Sequence, residues 1–137
     1  MTRKKERKIP LTKEEAISGA KKFLKNAKEI LSKVKIECGR YTDTKYVKEA
    51  SAMAYLAGLK AIDAYLLGRG TPPDKLPTSI QEYFEAISKI PKNGKLKAYL
   101  STAYENLHIF AYYRGGVSVD MIKAGIKGVE EIIKILD

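Results

Sequence analysis

The stretch Ala50–Leu67, ASAMAYLAGLKAIDAYLL, decides the fold of this chain. Its alanines follow a 4-3-4-3 spacing that places them on one stripe of an α-helix, namely Ala50, Ala54, Ala57, Ala61 and Ala64. Larger side chains repeat on the opposite side, namely Tyr55, Leu59, Ile62 and Leu66. A helix that is apolar on two opposite faces is usually buried inside a bundle. We therefore predict a central helix that a neighbour approaches closely along the alanines, with Glu49, Lys60 and Asp63 on its one polar edge.

One helix is predicted before this segment and another at the end of the chain, and each has a clear start signal. A capping box at Thr12–Glu15 opens the first helix, and its apolar residues keep a 3-4 spacing as far as Cys38, before Gly39. Ser118 is the expected N-cap of the last helix, whose apolar stripe runs from Val119 to Leu136. Both patterns are typical of amphipathic helices that pack one face on a shared core.

Two more helices are predicted between the central helix and the last one. A second capping box begins at Ser79 and opens a short helix that stops at Pro91. The next helix is expected from about Lys95 to Arg114, where Gly115 and Gly116 end it. Since no stretch resembles a strand, the sequence predicts an all-α fold, an up-and-down four-helix bundle with a short extra helix in the second crossover. Residues 11–137 would form this single domain, after a basic tail at 1–10.

Charge is the strongest functional signal in the composition. The 137 residues carry 26 Lys and Arg against 16 Asp and Glu, a net charge of +10. Such an excess favours RNA or another polyanion, an anionic membrane surface or an acidic protein as partner. We expect no membrane span, because Lys60 and Asp63 interrupt the most apolar stretch. Cys38 is the single cysteine, which fits a reducing cytoplasm and gives no disulfide or multi-cysteine metal site.

The predicted nucleic-acid contacts are basic side chains in the tail and on the outer face of the first helix. They are Arg3, Lys4, Lys5, Arg7 and Lys8 in the tail, and Lys21, Lys22, Lys25 and Lys28 in the helix. Non-specific phosphate binding follows from this charge. The alternative interpretation is a solvated lysine face with a solubilising tail.

His108 is the only histidine, and it has two interpretations. Histidine titrates near neutrality and could act as an acid or a base, with Glu105 and Tyr112 one helical turn away. No nucleophile is apparent beside it, and one histidine with scattered carboxylates is a poor metal site. We therefore favour a structural histidine, and we expect no metal, no cofactor and no catalytic residue.

Arginines beside glycines at helix ends form a second candidate site. Arg69 and Arg114 could cap helix ends or bind a phosphate or carboxylate through the forked guanidinium. For Arg114 we favour a structural ion pair with a partly buried acid such as Asp63, Glu49 or Asp120. We predict that they could cluster at one pole, with Arg40 at the other. Together with His108 and Tyr112 they make a possible anion or interface site.

The helical segments resemble HEPN-like domains, including the substrate-binding subunits that accompany minimal nucleotidyltransferases. The similar segments are AKEIL at 27–31, ASAMAYLAGLKAIDAYLLGRG at 50–70, LPTSIQEYFEAI at 76–87 and YYRGGVSVDMIKAGIKGVEEIIKIL at 112–136. The resemblance implies a bundle, frequent dimerisation, and either RNA cleavage or partnership with a nucleotidyltransferase. Catalytic members carry an arginine four to six residues before a histidine, whereas here Arg114 follows His108. The resemblance is therefore to a non-nuclease branch.

Three functions are expected in this order. The first is a non-enzymatic, homodimeric adaptor or binding subunit whose basic surface contacts RNA or a nucleic-acid-linked complex. The second is a protein partner of a minimal nucleotidyltransferase in a toxin–antitoxin-type pair. The third is a HEPN-type RNase that uses His108 and Arg114.

Overall fold

The computed structural model describes Pro10 and residues 12–137. Within them, the helices are α1 (Lys13–Ser32), α2 (Thr44–Gly68), α3 (Ile80–Ser88), α4 (Gly94–Ala103) and α5 (Val119–Leu136). A π-helix, Tyr104–Tyr113, continues α4 without a break, and a 3₁₀ turn, Pro73–Lys75, precedes α3. Two short strands, β1 (Ile36–Glu37) and β2 (Arg40–Tyr41), lie between α1 and α2. The fold is all-α with five helices, as the sequence predicts.

The long helices run alternately up and down. The Lys13 side chain at the start of α1 packs against Gly68 at the end of α2. Gly115, just after the π-helix, lies against Thr44 at the start of α2. Asp137, beyond the end of α5, forms an ion pair with Lys21 in the first half of α1. Sequential neighbours are therefore antiparallel, and α2 is the helix that the others surround.

The alanine stripe of α2 lies fully inside the core. All five alanines have no exposed surface, and Ile62 on the other face is also fully buried. Gly58 brings α2 close to Val129 and Ile132 of α5. The prediction of a central helix buried on two faces is therefore confirmed. Small residues on this helix let neighbouring helices approach its backbone closely.

Side-chain caps fix the beginnings of the helices where the sequence places them. In α1, α3 and α5 a hydroxyl oxygen accepts a hydrogen bond from a backbone N–H three residues later, the pairs being Thr12 with Glu15 (3.1 Å), Ser79 with Glu82 (3.2 Å) and Ser118 with Met121 (3.3 Å). Asp43 caps α2 in the same way through the N–H of Tyr46. Each bond satisfies a donor that the first turn leaves without a helical partner.

The end of the first helix differs from the prediction. Instead of continuing to Cys38, α1 stops at Ser32, and β1 pairs antiparallel with β2, Glu37 opposite Arg40. The two residues between the strands, Cys38 and Gly39, both have positive φ (53° and 74°), as a type I′ hairpin turn requires. Cys38 is therefore exposed in a turn rather than packed in the core. The expectation of no strand was wrong.

The helix predicted from about Lys95 to Arg114 is also different in its second half. From Tyr104 the backbone widens into a π-helix, in which the Arg114 N–H bonds the carbonyl of Ile109, five residues earlier. Two contacts with α5 hold this segment. The Asn106 amide donates to the carbonyl of Met121 (2.8 Å), and Gly125 leaves room for Leu107, whose Cγ is 2.6 Å from the position that a Cβ would take.

Candidate nucleic-acid interface

A groove between α1 and α5 collects lysines from both helices. Its volume is about 710 Å³, and the lysines that line it are Lys21, Lys25, Lys28, Lys127 and Lys134. Spacing along α1 explains three of them, since residues 21, 25 and 28 repeat every three or four positions and share one face. We call these five residues the lysine groove. Because its acidic lining residues are Glu29, Glu130 and Glu131, the lysines remain in excess.

Two of the lysines predicted to contact nucleic acid form ion pairs with α5 or with the residue that follows it. Lys21 pairs with Asp137 (2.6 Å) and Lys28 pairs with Glu130 across the groove, with both lysine side chains about half exposed. Lys25 also lines the groove, whereas Lys22 is exposed on α1 outside it. Exposed ion pairs are worth roughly 0–1 kcal/mol each, so a phosphate can compete for these lysines.

Two further lysines, which sequence reasoning missed, line the groove. Lys127 and Lys134 of α5 both lie within 4 Å of Glu131, at 3.4 and 3.6 Å. They are seven residues apart, which puts them on one face of the helix and could have indicated them. The tail residues predicted to bind nucleic acid, Arg3, Lys4, Lys5, Arg7 and Lys8, lie outside the described residues.

His108 lies within a series of aromatic rings. Along the π-helix its ring stacks with Tyr104 (centroids 5.5 Å apart, 28° between planes) and with Tyr112 (6.0 Å, 14°). From α2, Tyr55 stacks on His108 at 4.9 Å and approaches Tyr104 at 6.2 Å. We call Tyr55, Tyr104, His108 and Tyr112 the aromatic series. Of the two predicted neighbours of His108, Tyr112 contacts it, and the contact is ring stacking.

The Tyr55 hydroxyl stays protonated at neutral pH. Burial, with a smaller contribution from Tyr104, raises the pKa of Tyr55 to about 12. A phenol with that pKa is neither a base nor a nucleophile under ordinary conditions. Burial therefore argues against a chemical role for this hydroxyl. Tyr112 is the exposed end of the aromatic series, at 46%.

The two arginines of the predicted anion site do not come together. Arg69 directly follows α2, near the start of α1, and lies over the ring of Tyr65 (5.7 Å). Arg114 ends the π-helix beside Gly115, which contacts the opposite end of α2. Since α2 has 25 residues and rises about 1.5 Å per residue, the two sites lie roughly a helix length apart. The prediction of a shared pole for Arg69 and Arg114 was wrong.

Arg114 in fact shares its pole with Arg40. Arg40 is bridged to Ser118, and the N–H of Tyr41 donates to the carbonyl of Val117 (2.9 Å) in the loop after the π-helix. The predicted pole was wrong because, in a bundle of alternating helices, α2 and the π-helix finish at opposite poles. The sequence-based assignment had placed the two C-terminal ends together. Both arginines are exposed, and the ion pairs among the described residues include none between Arg114 and a partly buried acid.

Asp63 is buried, although its place on the polar edge of α2 suggested exposure. Only 8% of its surface is exposed, because α3 folds back over it and the Tyr83 hydroxyl donates to its carboxylate (2.9 Å). Burial raises the pKa of Asp63 to about 6, opposed by the Tyr83 hydrogen bond and by the charge of Lys60. The capping box before α3 predicted the helix, but no local signal placed Tyr83 against Asp63.

Two kinds of feature are absent from the described residues. Among them, no three His, Cys, Asp or Glu side chains are grouped so that they could hold a metal ion. None of the described helices is both long and apolar enough to cross a membrane.

The described chain is thus an all-α bundle with a basic groove on one side and stacked aromatic rings on another. It belongs to the family described as a domain of unknown function, DUF5618, whose model matches residues 15–137. It is similar to a protein of unknown function from Dyadobacter fermentans, with 32% identity over 92% of this chain and 97% of that chain and a TM-score of 0.77. No curated protein matches the chain.

Proposed function

We propose that this protein is a non-enzymatic helical-bundle adaptor of the cytoplasm that binds RNA through its basic surface. One observation carries the proposal: five lysines from two helices line a single groove. Binding there displaces condensed counterions from the RNA, which is the main source of sequence-independent affinity. The basic tail, with five cations against Glu6, would add to the same attraction.

A binding role fits the side chains better than a catalytic one. His108 is stacked among tyrosines, and no arginine stands four to six residues before it. The HEPN-like resemblance accordingly enters this proposal only as a non-nuclease bundle. The homodimer and the nucleotidyltransferase partner stay predictions.

The test is binding to a mixed-sequence single-stranded RNA pool in a series from about 50 to about 200 mM salt. The full chain is compared with a chain lacking residues 1–9 and with the variant Lys25→Gln/Lys134→Gln. Substituting Lys134 leaves Lys127 to pair with Glu131. A matched variant, Lys95→Gln/Lys97→Gln, removes the same charge from α4, where both lysines are exposed.

We expect affinity to fall steeply with salt. Each lysine that contacts a phosphate contributes about 0.7 to the slope of log K against log salt, so the groove variant should lower the slope by about 1.4. The α4 variant should change it much less. Equal effects of the two variants would show that charge alone, without the groove, attracts RNA.

No binding at the lowest salt would refute the RNA proposal and favour an acidic protein partner. A cleavage assay on the same RNA separates the nuclease alternative. Measurable cleavage that disappears in His108→Ala would contradict a non-enzymatic role.

A further inference from the structure

The exposed end of the aromatic series has the form of an open stacking surface. Tyr104, His108 and Tyr112 follow one another every four residues along the π-helix, and neighbouring rings are tilted by only 28° and 14°. Tyr55 covers the inner end of the series. Tyr112 is 46% exposed, so the surface available to a further ring lies at this end.

Two cations, Arg114 and Lys48, lie at the same end of the bundle as this exposed ring. Arg114 follows Tyr112 by two residues and is exposed, and the Lys48 side chain packs against Gly115 in the next turn of chain. Between 104 and 114, Glu105 is the single acidic residue, near the start of the π-helix. A ligand with an aromatic part and an anionic part would therefore find both an exposed ring and cations at this end of the bundle.

From this juxtaposition we infer that Tyr112 is a stacking platform for one unpaired base of RNA, with Arg114 and Lys48 at the adjacent phosphates. The inference rests on the proposed RNA binding and names its substrate class as single-stranded. Bases in a duplex are already stacked on one another, whereas unpaired bases are free to stack on an aromatic side chain. Stacking of this kind is tolerant of sequence, because every base has a π-face.

The probe is a short single-stranded RNA with one 2-aminopurine, whose fluorescence falls when it stacks. With the full chain we expect quenching on binding, for the natural protein and for Tyr112→Phe, which keeps the ring. Tyr112→Ala should lose the quenching and bind about 5- to 100-fold more weakly. Tyr113→Ala is the matched control, since this neighbouring ring is 74% exposed and is not one of the stacked rings described above. It should behave as the natural protein does.

A duplex of the same sequence provides the second arm. It should bind without quenching, and Tyr112→Ala should leave its affinity unchanged. Circular dichroism of each variant checks folding, and the quenching of the natural protein tests the inference even if Tyr112→Ala fails to fold.

The outcomes separate this inference from the proposed function. RNA binding that neither quenches the probe nor depends on Tyr112 would overturn the stacking site and leave the adaptor proposal standing. Absence of RNA binding at low salt would overturn both. If Tyr112→Ala instead changes the sedimentation of the free protein and the probe is not quenched, the ring belongs to a contact between copies, which also overturns the inference.

Discussion

Asp63 is a carboxylate in a place from which water is nearly excluded. Its pKa, raised by burial from 3.8 to about 6, means that the folded state holds a proton more tightly than the unfolded state. The free energy of unfolding therefore decreases as pH rises from about 4 to about 6, and the loss is complete above 6. A shift of this size corresponds to about 3 kcal/mol, since one pKa unit is about 1.4 kcal/mol.

We predict that Asp63→Asn stabilises the protein at about pH 7.5 by roughly 1–3 kcal/mol. The amide oxygen can still accept the hydrogen bond of Tyr83, while the cost of burying a charge is removed. The gain should shrink below about pH 4, where the natural carboxyl is already neutral in both states. Urea unfolding at several pH values measures it, with the exposed Asp74→Asn as control. A gain that is the same at every pH would contradict this assignment.

Cys38 occupies a backbone conformation that suits it poorly. With φ at 53° it is a non-glycine residue in the left-handed region, and its exposed thiol contributes little packing. Asparagine adopts this conformation more readily and is favoured before glycine in a type I′ turn. We predict that Cys38→Asn raises the free energy of unfolding by up to about 1 kcal/mol. Chemical denaturation measures it, and a loss of stability would mean that the thiol has a packing role.

At the scale of elements, the close approach of α5 to α4 and the π-helix depends on glycines. A Cβ on Gly125 would lie 2.6 Å from Cγ of Leu107, which is fully buried and has nowhere to move. We predict that Gly125→Ala lowers the free energy of unfolding by about 1–3 kcal/mol through overpacking. Gly94→Ala is the control, because nothing lies within 4 Å of that Cβ position. Its melting temperature should be unchanged or higher, and equal losses in both variants would refute the packing argument.

The same contact explains why the π-helix escaped prediction from the sequence. The buried residues Leu100, Ala103, Leu107 and Ala111 repeat every three or four positions, which fits an α-helix as well as a wider one. The contacts of Asn106 and Leu107 with α5 bring together residues at least 15 positions apart, and no local window contains both partners. The hairpin would have been easier to predict from the sequence, since Val34, Ile36 and Cys38 alternate with charged residues before Gly39. An equally good 3-4 spacing from α1 concealed that signal.

At the scale of the whole molecule, the predictable part is the part governed by local pattern. The alanine stripe and the caps of α1, α3 and α5 depend on residues within a few positions of one another, and they are where the sequence places them. Three of the five residues of the lysine groove were predicted, because they share one face of α1, whereas the packing of α5 beside that face is not visible in the sequence. Arg114 was misplaced because its surroundings depend on which helix ends meet. Asp63 was misplaced because its burial depends on α3 folding back over α2.

The stability of the bundle should accordingly be uneven along the chain. Eleven of the 25 residues of α2 are buried, against Tyr83 and Ile87 among the nine of α3. Amide exchange from a helix with little buried surface occurs by local opening, whereas the most protected amides exchange only on global unfolding. We therefore predict that native-state hydrogen exchange, followed by mass spectrometry, shows the slowest amides in the middle of α2 and much faster ones in α3. Since the Tyr83 hydroxyl links α3 to α2, Tyr83→Phe should speed exchange in α3 and leave the start of α1 unchanged. Protection of α3 equal to that of α2 would mean that the short helix unfolds only with the whole bundle, and its crossover would then be part of the cooperative core.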